Sequence, residues 1–233
     1  MDRTADPYRD LDVIDARAPR FNQVTVGVVT LAALLTGWWP LVGLMGLQLV
    51  VGLTAGRRYC LPCVFYFEVI QPRFGEGPVE DARPPRFANI VGAAFLGAST
   101  AAHLAGLSTV GWVLAGIVSA LALLAAATGL CVGCEIYRLM ARVRGIRPGR
   151  VGRLDLSELD GLGTTPAGDV VVQFTHPLCT DCHEVERRLI ADGHRLVLVD
   201  VSRRPDLARK YQVAVVPTAL AVGGDGRVLQ RLA

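Results

Sequence analysis

Two long stretches of this chain carry no Asp, Glu, Lys or Arg: one between Phe21 and Gly56, the other between Phe87 and Cys134. Elsewhere no uncharged run exceeds 14 residues. A helix rises about 1.5 Å per residue and the bilayer hydrocarbon is about 30 Å thick, so roughly 20 apolar residues cross once. The second tract is too long for one crossing and breaks near Gly106 to Gly111. Gly37-Trp38-Trp39-Pro40 divides the first; Pro40 suits a first helical turn and the tryptophans suit a membrane interface. The pattern predicts spans near 22–37, 40–57, 88–106 and 110–130, the first two short. One long tilted helix over the first tract is the alternative.

Beyond Arg144 to Arg153 the periodicity shortens. Asp169 to Thr175 reads as a buried strand, His183 to Ala191 as a helix, Arg195 to Asp200 as a strand and Arg204 to Tyr211 as a helix. Val215 to Val222 and Arg227 to Leu232 read as strands joined by a Gly223-Gly-Asp-Gly226 hairpin turn. The expected fold class is a membrane all-α part, with four transmembrane helices as a duplicated helical hairpin, plus a minimal α/β domain. The membrane part is expected over 1–147, a linker over 148–168 and the α/β domain over 169–233.

The duplication is explicit. Asp15-Ala-Arg-Ala-Pro-Arg-Phe21 and Asp81-Ala-Arg-Pro-Pro-Arg-Phe87 agree at six of seven positions. Each leads into an uncharged tract that ends in Cys-x-x-Cys-x-x-Tyr: Cys60, Cys63, Tyr66, and then Cys131, Cys134, Tyr137. The copies run from about 12 to 75 and from about 78 to 145. Two crossings per copy give both the same orientation. They are expected to pack about an axis along the membrane normal, with the two cysteine pairs at one depth and facing each other. The segments after the pairs, Val64 to Ile70 and Glu135 to Val143, read as interfacial helices.

Composition and charge sharpen this picture. Hydrophobic residues make up 52% and the mean hydropathy is +0.39, both high for a soluble chain. A net charge of +3 with no basic stripe excludes a nucleic-acid partner. The turns near Trp38 and Ser108 are uncharged, whereas Arg17, Arg20, Arg57, Arg58, Arg83, Arg86, Arg138, Arg142 and Arg147 fall on the opposite side. The positive-inside rule makes that side cytoplasmic. The expected setting is the bacterial inner membrane, multi-pass, with both termini and the α/β domain in the cytoplasm. No cleavable signal peptide is expected, because acidic residues such as Asp12 and Asp15 precede the first apolar tract.

Six cysteines form three pairs, Cys60/Cys63, Cys131/Cys134 and Cys179/Cys182. Residues i and i+3 share one face of a helical turn. A sulfur at a helix N-terminus is favoured as thiolate, from which the second sulfur resolves a mixed disulfide. Asp181 opposes a thiolate at Cys179, while protonated His176 and His183 favour it. Four sulfurs brought together by the duplication also match a zinc site or an iron–sulfur cluster made by Cys60, Cys63, Cys131 and Cys134. His103 is an ionisable residue at membrane depth, a functional site by default, with an interfacial hydrogen-bonding histidine as the plainer reading. Gln48 reads as a helix–helix hydrogen bond. The duplicated Asp-Ala-Arg-x-Pro-Arg-Phe reads as a helix cap whose Phe anchors at the interface and whose Arg meets lipid phosphate.

Residues 169–233 resemble the thioredoxin superfamily, through Cys179 and Cys182 at a strand-to-helix junction, Asp200 ending the next strand and Val216-Pro217-Thr218. The resemblance implies that Cys179 is an exposed nucleophile, Cys182 the resolving thiol and Pro217 a cis-proline beside them. Leu178 stands where the family has tryptophan, Thr180-Asp181 replaces Gly-Pro, and the final helix is absent. Residues 12–145 resemble an uncharacterised bacterial membrane family of unknown function, through the Pro-Pro-Arg-Phe and Cys-x-Gly-Cys signatures. Together these point to a membrane-anchored thiol–disulfide oxidoreductase that passes electrons between Cys179/Cys182 and the two membrane pairs. It requires no cofactor beyond its disulfides, with zinc, an iron–sulfur cluster or a quinone as the alternatives. The expected partners are the lipid bilayer, a protein or small-thiol redox partner and a second copy in a homodimer. A metal-binding membrane protein with an accessory thioredoxin-like domain, or a transporter of a sulfur compound, are the rival functions.

Overall fold

The computed structural model describes residues 5–144, 153–159, 169–211, 213 and 215–233. The molecule is mostly helical with a small sheet region and divides into two compact units. One unit comprises Thr4–Gly77 and Ala82–Tyr137; the other comprises Pro78–Asp81 and Arg138–Ala233.

In the helical unit, β1 (Val13–Asp15) precedes α1 (Arg17–Thr36), which ends where Gly37 takes a left-handed conformation at φ 67°. Pro40 opens α2 (Pro40–Thr54). The first tract is therefore two helices, because a glycine C-terminal stop and a proline start lie three residues apart. A 3-10 turn (Arg57–Tyr59) leads to α3 (Leu61–Phe65), a π-helical turn (Tyr66–Ile70) and α4 (Gln71–Phe74). After β2 (Val79–Asp81), which belongs to the other unit, come α5 (Arg83–Leu104), α6 (Ser108–Thr128) and α7 (Val132–Arg144).

Each copy's first helix packs on the other copy's second: α1 on α6, and α2 on α5. The buried positions are small or polar: Ala18, Asn22, Val26, Thr30 and Ala33 on α1, and Gly111, Ala115, Val118 and Ser119 on α6. Large apolar side chains face outward, among them Val28, Leu31 and Leu35 on α1, Leu44 and Leu47 on α2, and Ile117, Leu121 and Leu124 on α6. On α1 and α6, small residues inside and large ones outside invert the soluble pattern, whereas α2 and α5 bury Val42, Met45, Leu49 and Leu96. The helix–helix polar contacts are buried too: Ser99 donates to Gly111 O at 2.7 Å and Ser119 to Gly27 O at 3.0 Å.

Among the described residues, two helices, α5 and α6, are long and apolar enough to cross a membrane. The expectation of four such helices is not met on that measure. α2 has 15 residues, and α1 spends its first turns on Arg17, Pro19, Arg20, Asn22 and Gln23.

The second unit holds a four-stranded sheet in the order β4-β3-β5-β6. β3 (Val170–Thr175) runs parallel to β4 (Leu196–Asp200) and antiparallel to β5 (Thr218–Val222), which pairs antiparallel with β6 (Val228–Arg231). α8 (Thr180–Ala191) connects β3 to β4, and α9 (Pro205–Lys210) precedes β5. Phe174, Val170, Val172, Leu220 and Val222 form the fully buried centre. Leu154, Leu156 and Leu159 join that core, and Leu154 N donates to Gly226 O at 2.7 Å. The stretch 153–159, expected as linker, is thus part of the folded unit; its three leucines at i, i+2 and i+5 match neither a strand nor a helix period. The rest of the expected linker, and Arg147, lie outside the described residues.

Candidate functional site

All three cysteine pairs use one local geometry. Cys60 caps α3 and Cys179 caps α8, with near-identical backbones (φ −87°, ψ 101° and φ −83°, ψ 113°). In each pair the second cysteine's N–H points at the first sulfur: 3.3 Å for Cys63 to Cys60, 3.3 Å for Cys134 to Cys131 and 3.2 Å for Cys182 to Cys179. The first sulfur therefore sits on the positive end of its helix, where a thiolate is stabilised. Cys60–Cys63 and Cys179–Cys182 are disulfides, with Cα atoms 5.1 and 5.3 Å apart.

At the C-terminal pair, β3 delivers the chain into His176-Pro177-Leu178 and then α8. The Val216–Pro217 peptide is cis. Gln173, fully buried in β3, donates to Cys182 O at 2.8 Å, and its own Oε1 has no hydrogen-bond partner. The implied exposure of Cys179 is corrected: both Cys179 and Cys182 are fully buried. β2 brackets the pair from within the same unit. Val79 N donates to Thr180 Oγ1 at 2.9 Å, and Asp81 Oδ2 accepts from Val216 N at 3.1 Å. One bond lands beside Cys179 and the other beside Pro217. His176 Nδ1 accepts from Leu178 N at 3.2 Å. His183 is exposed, with Nε2 2.9 Å from Pro177 O.

The pairs of the helical unit border two separate cavities. Cys60 and Cys63 line one of about 370 Å³, with Arg57, Arg86, Gln48 and Asn89 on its wall. Cys131 lines one of about 130 Å³ whose wall is almost wholly apolar. Asn22 touches both, and its Nδ2 donates to Asn89 Oδ1 at 3.1 Å. Among the described residues, no three His, Cys, Asp or Glu side chains gather as a metal-holding set.

The duplicated motif proves to be internal support for the cysteines. Phe21 lies 6.0 Å from the Tyr66 ring and Phe87 lies 5.5 Å from the Tyr137 ring, so each Phe meets the tyrosine of its own Cys-x-x-Cys-x-x-Tyr. Asp15, buried, accepts from Arg17 N at 2.8 Å, Gly77 N at 2.9 Å and Tyr66 OH at 3.0 Å. Burial, reinforced by that carboxylate, pushes the Tyr66 hydroxyl's pKa up and keeps it a donor. Arg57 donates to the carbonyls of Pro7, Asp10, Leu11 and Val13 at 2.9–3.3 Å, tying the N-terminal segment to the turn before Cys60.

Two polar expectations change. His103 is held by rings, stacked on Trp39 at 5.7 Å and edge-on to Trp112 at 4.5 Å, and its buried Nε2 makes no hydrogen bond. Gln48 donates to Tyr59 O at 3.2 Å, a bond to a turn and not across helices. Sequence reading missed Asn22, Gln173, Thr180 and the Asp15/Asp81 acceptors. The signal for Asn22 is its place in the small-residue stripe 18, 22, 26, 30; the other three depend on which strand meets which loop.

Residues 14–142, more than half of the chain, match the family model of a domain of unknown function, DUF4395, and the chain belongs to that family. No curated protein and no solved structure matches it.

Proposed function

We propose that this chain is a membrane-embedded thiol–disulfide oxidoreductase whose C-terminal unit is thioredoxin-like and exchanges electrons with the cysteine pairs of the helical unit. The observation that carries this reading is the shared cap geometry. Three separate pairs each put their first sulfur at a helix N-terminus within reach of the second cysteine's N–H. The sheet order β4-β3-β5-β6, the cysteines at the β3–α8 junction and the cis Val216–Pro217 peptide support the thioredoxin-like assignment. The outward apolar faces of α1, α2, α5 and α6 support four bilayer-embedded helices, with the arginine-rich ends, both termini and the sheet unit on the cytoplasmic side of a bacterial inner membrane.

In the exchange, the Cys179 thiolate attacks a disulfide sulfur, forming a mixed disulfide and releasing one thiolate. The Cys182 thiolate then attacks Cys179 Sγ, closing Cys179–Cys182 and releasing the second thiolate, and the two released sulfurs take protons from water. Two electrons move per cycle and no cofactor is consumed. The opening of β2 from Thr180 and Val216 is the step that uncovers Cys179. Cys182→Ser in the full-length protein, under oxidising load, is expected to trap Cys179 in a mixed disulfide with a cysteine of the helical unit or a protein partner. Peptide mapping that finds Cys179 unlinked would refute the reading.

A further inference from the structure

The smaller cavity has the make-up of a ligand site for a redox-active ring. It lies among α1, α5, α6 and the start of α7, and no charged side chain lines it. Only two kinds of chemistry reach it: the sulfur of Cys131, and the carboxamides of Asn22 and Gln23. Asn22 is 5% exposed, its Nδ2 is engaged by Asn89, and its Oδ1 is buried with no donor. Asn22 lines both this cavity and the larger one; a buried acceptor left empty costs about 1–3 kcal/mol, which a hydroxyl or N–H of a molecule bound beside it would relieve. The volume of about 130 Å³ is near that of an engineered apolar cavity, on the order of 150 Å³, that takes one benzene ring. Phe95, Ile117 and Leu121, all on the cavity wall, are 36–42% exposed on the unit's outer apolar surface. The cavity therefore communicates with the surface that the bilayer reading puts against acyl chains.

We infer that this cavity binds the head ring of a membrane quinone, which is the electron acceptor of Cys131/Cys134. The inference rests on the reading of that pair as redox-active. The S–H bonds of both cysteines break and the Cys131–Cys134 bond forms. Two electrons and two protons pass to the quinone, whose two carbonyl oxygens become the hydroxyls of a hydroquinone. One such hydroxyl supplies the donor that Asn22 Oδ1 lacks, so Asn22 positions the ring and favours its reduced form. The larger cavity beside Cys60/Cys63, walled by Arg57 and Arg86, has no such apolar character.

The test uses the full-length protein, reduced and placed in lipid nanodiscs, with decylubiquinone as probe. One hydroquinone is expected per molecule from this site, with loss of alkylatable thiol at Cys131 and Cys134. Ala122→Phe, which fills the cavity from α6, should slow the reduction at least about tenfold, the equivalent of one lost 1.4 kcal/mol contact. Asn22→Leu should lower kcat by about fivefold to tenfold with little change in KM for the quinone, because its oxygen accepts only from the hydroxyl that forms on reduction. A photoreactive azidoquinone should label lining residues of α1, α5 or α6 in the unaltered protein, which covers the case of a filled variant that misfolds. Labelling elsewhere, or wild-type rates in Ala122→Phe, overturns the inference. If the Cys182→Ser trap works while decylubiquinone is not reduced, the quinone site falls alone; if quinone is reduced but nothing is trapped, the exchange reading falls and the site stands.

Discussion

The two copies of the duplicated hairpin share a motif and a cap, yet they surround their cysteines with different solvents. The first copy, Cys60-Leu-Pro-Cys63, faces a large cavity walled by two arginines and three amides. The second, Cys131-Val-Gly-Cys134, faces a small apolar one. Their leading aspartates diverge in the same way. Asp15 spends its oxygens inside its own copy, on Arg17, Tyr66 and Gly77, while Asp81 accepts from Val216 beside the C-terminal pair. The two copies thus share the helix cap at the first sulfur and differ in the surroundings of the pair.

The difference can be tested by substitution. Asp15→Ala removes the acceptor for four donors at once, Arg17 N, Tyr66 OH, Gln71 Nε2 and Gly77 N, and is expected to cost about 3 kcal/mol, since each stranded buried donor costs about 1–3 kcal/mol before water relieves it. Asp81→Ala removes the acceptor of Val216 N beside Pro217 and should raise the alkylation rate of reduced Cys179. Thermal unfolding of purified protein and timed alkylation read the two effects; an unchanged alkylation rate in Asp81→Ala would erase the contrast between the copies.

Gly133→Ala comes next. A Cβ there would stand 2.8 Å from Ala88 Cβ and 3.0 Å from its Cα, backbone that cannot swing away. Overpacking of this kind costs about 2 kcal/mol. Pro62, the matching residue of the first copy, should tolerate Ala with a loss below about 1 kcal/mol, because a first-turn proline is favourable but not required. Denaturant midpoints decide it, and a neutral Gly133→Ala would show that the second loop does not press on α5.

A smaller effect concerns reagents. After full reduction, a charged methanethiosulfonate should prefer Cys60/Cys63 and N-phenylmaleimide should prefer Cys131, each by on the order of tenfold, as a 1.4 kcal/mol partition difference gives. Identical labelling profiles would mean that the two cavities do not differ in polarity where the sulfurs sit. Smallest, Tyr66→Phe deletes one hydrogen bond to Asp15 and should lower stability by about 1 kcal/mol in an unfolding titration, with the carboxylate still held by Arg17 N and Gly77 N.

Much of the architecture was legible beforehand because it depends on short-range rules. Gly37 and Pro40 place a break that any chain with those residues would make, and the α8 cap follows from a cysteine between an extended run and a helical one. The repeat could be read by eye, and so could the sheet's strands. The candidate sites were legible as residue types only. That Cys179 is buried could not be inferred from its neighbours in sequence, since Val79 and Asp81 come from about a hundred residues away. Nor could the leucines of 153–159 be recognised as core, as their spacing fits no regular element until the sheet they cover exists.

Local chemistry, then, was written along the chain: where helices start and stop, which sulfurs are paired, and that a hairpin occurs twice. Those are contacts between residues at most a few positions apart, and sequence order alone brings them together. What each sulfur can meet was decided only in three dimensions. A cavity's size and polarity are set by side chains from four helices at once, and whether Asn22 finds a donor for its oxygen depends on all of them. Such properties belong to the packing, and no stretch of the chain carries them by itself.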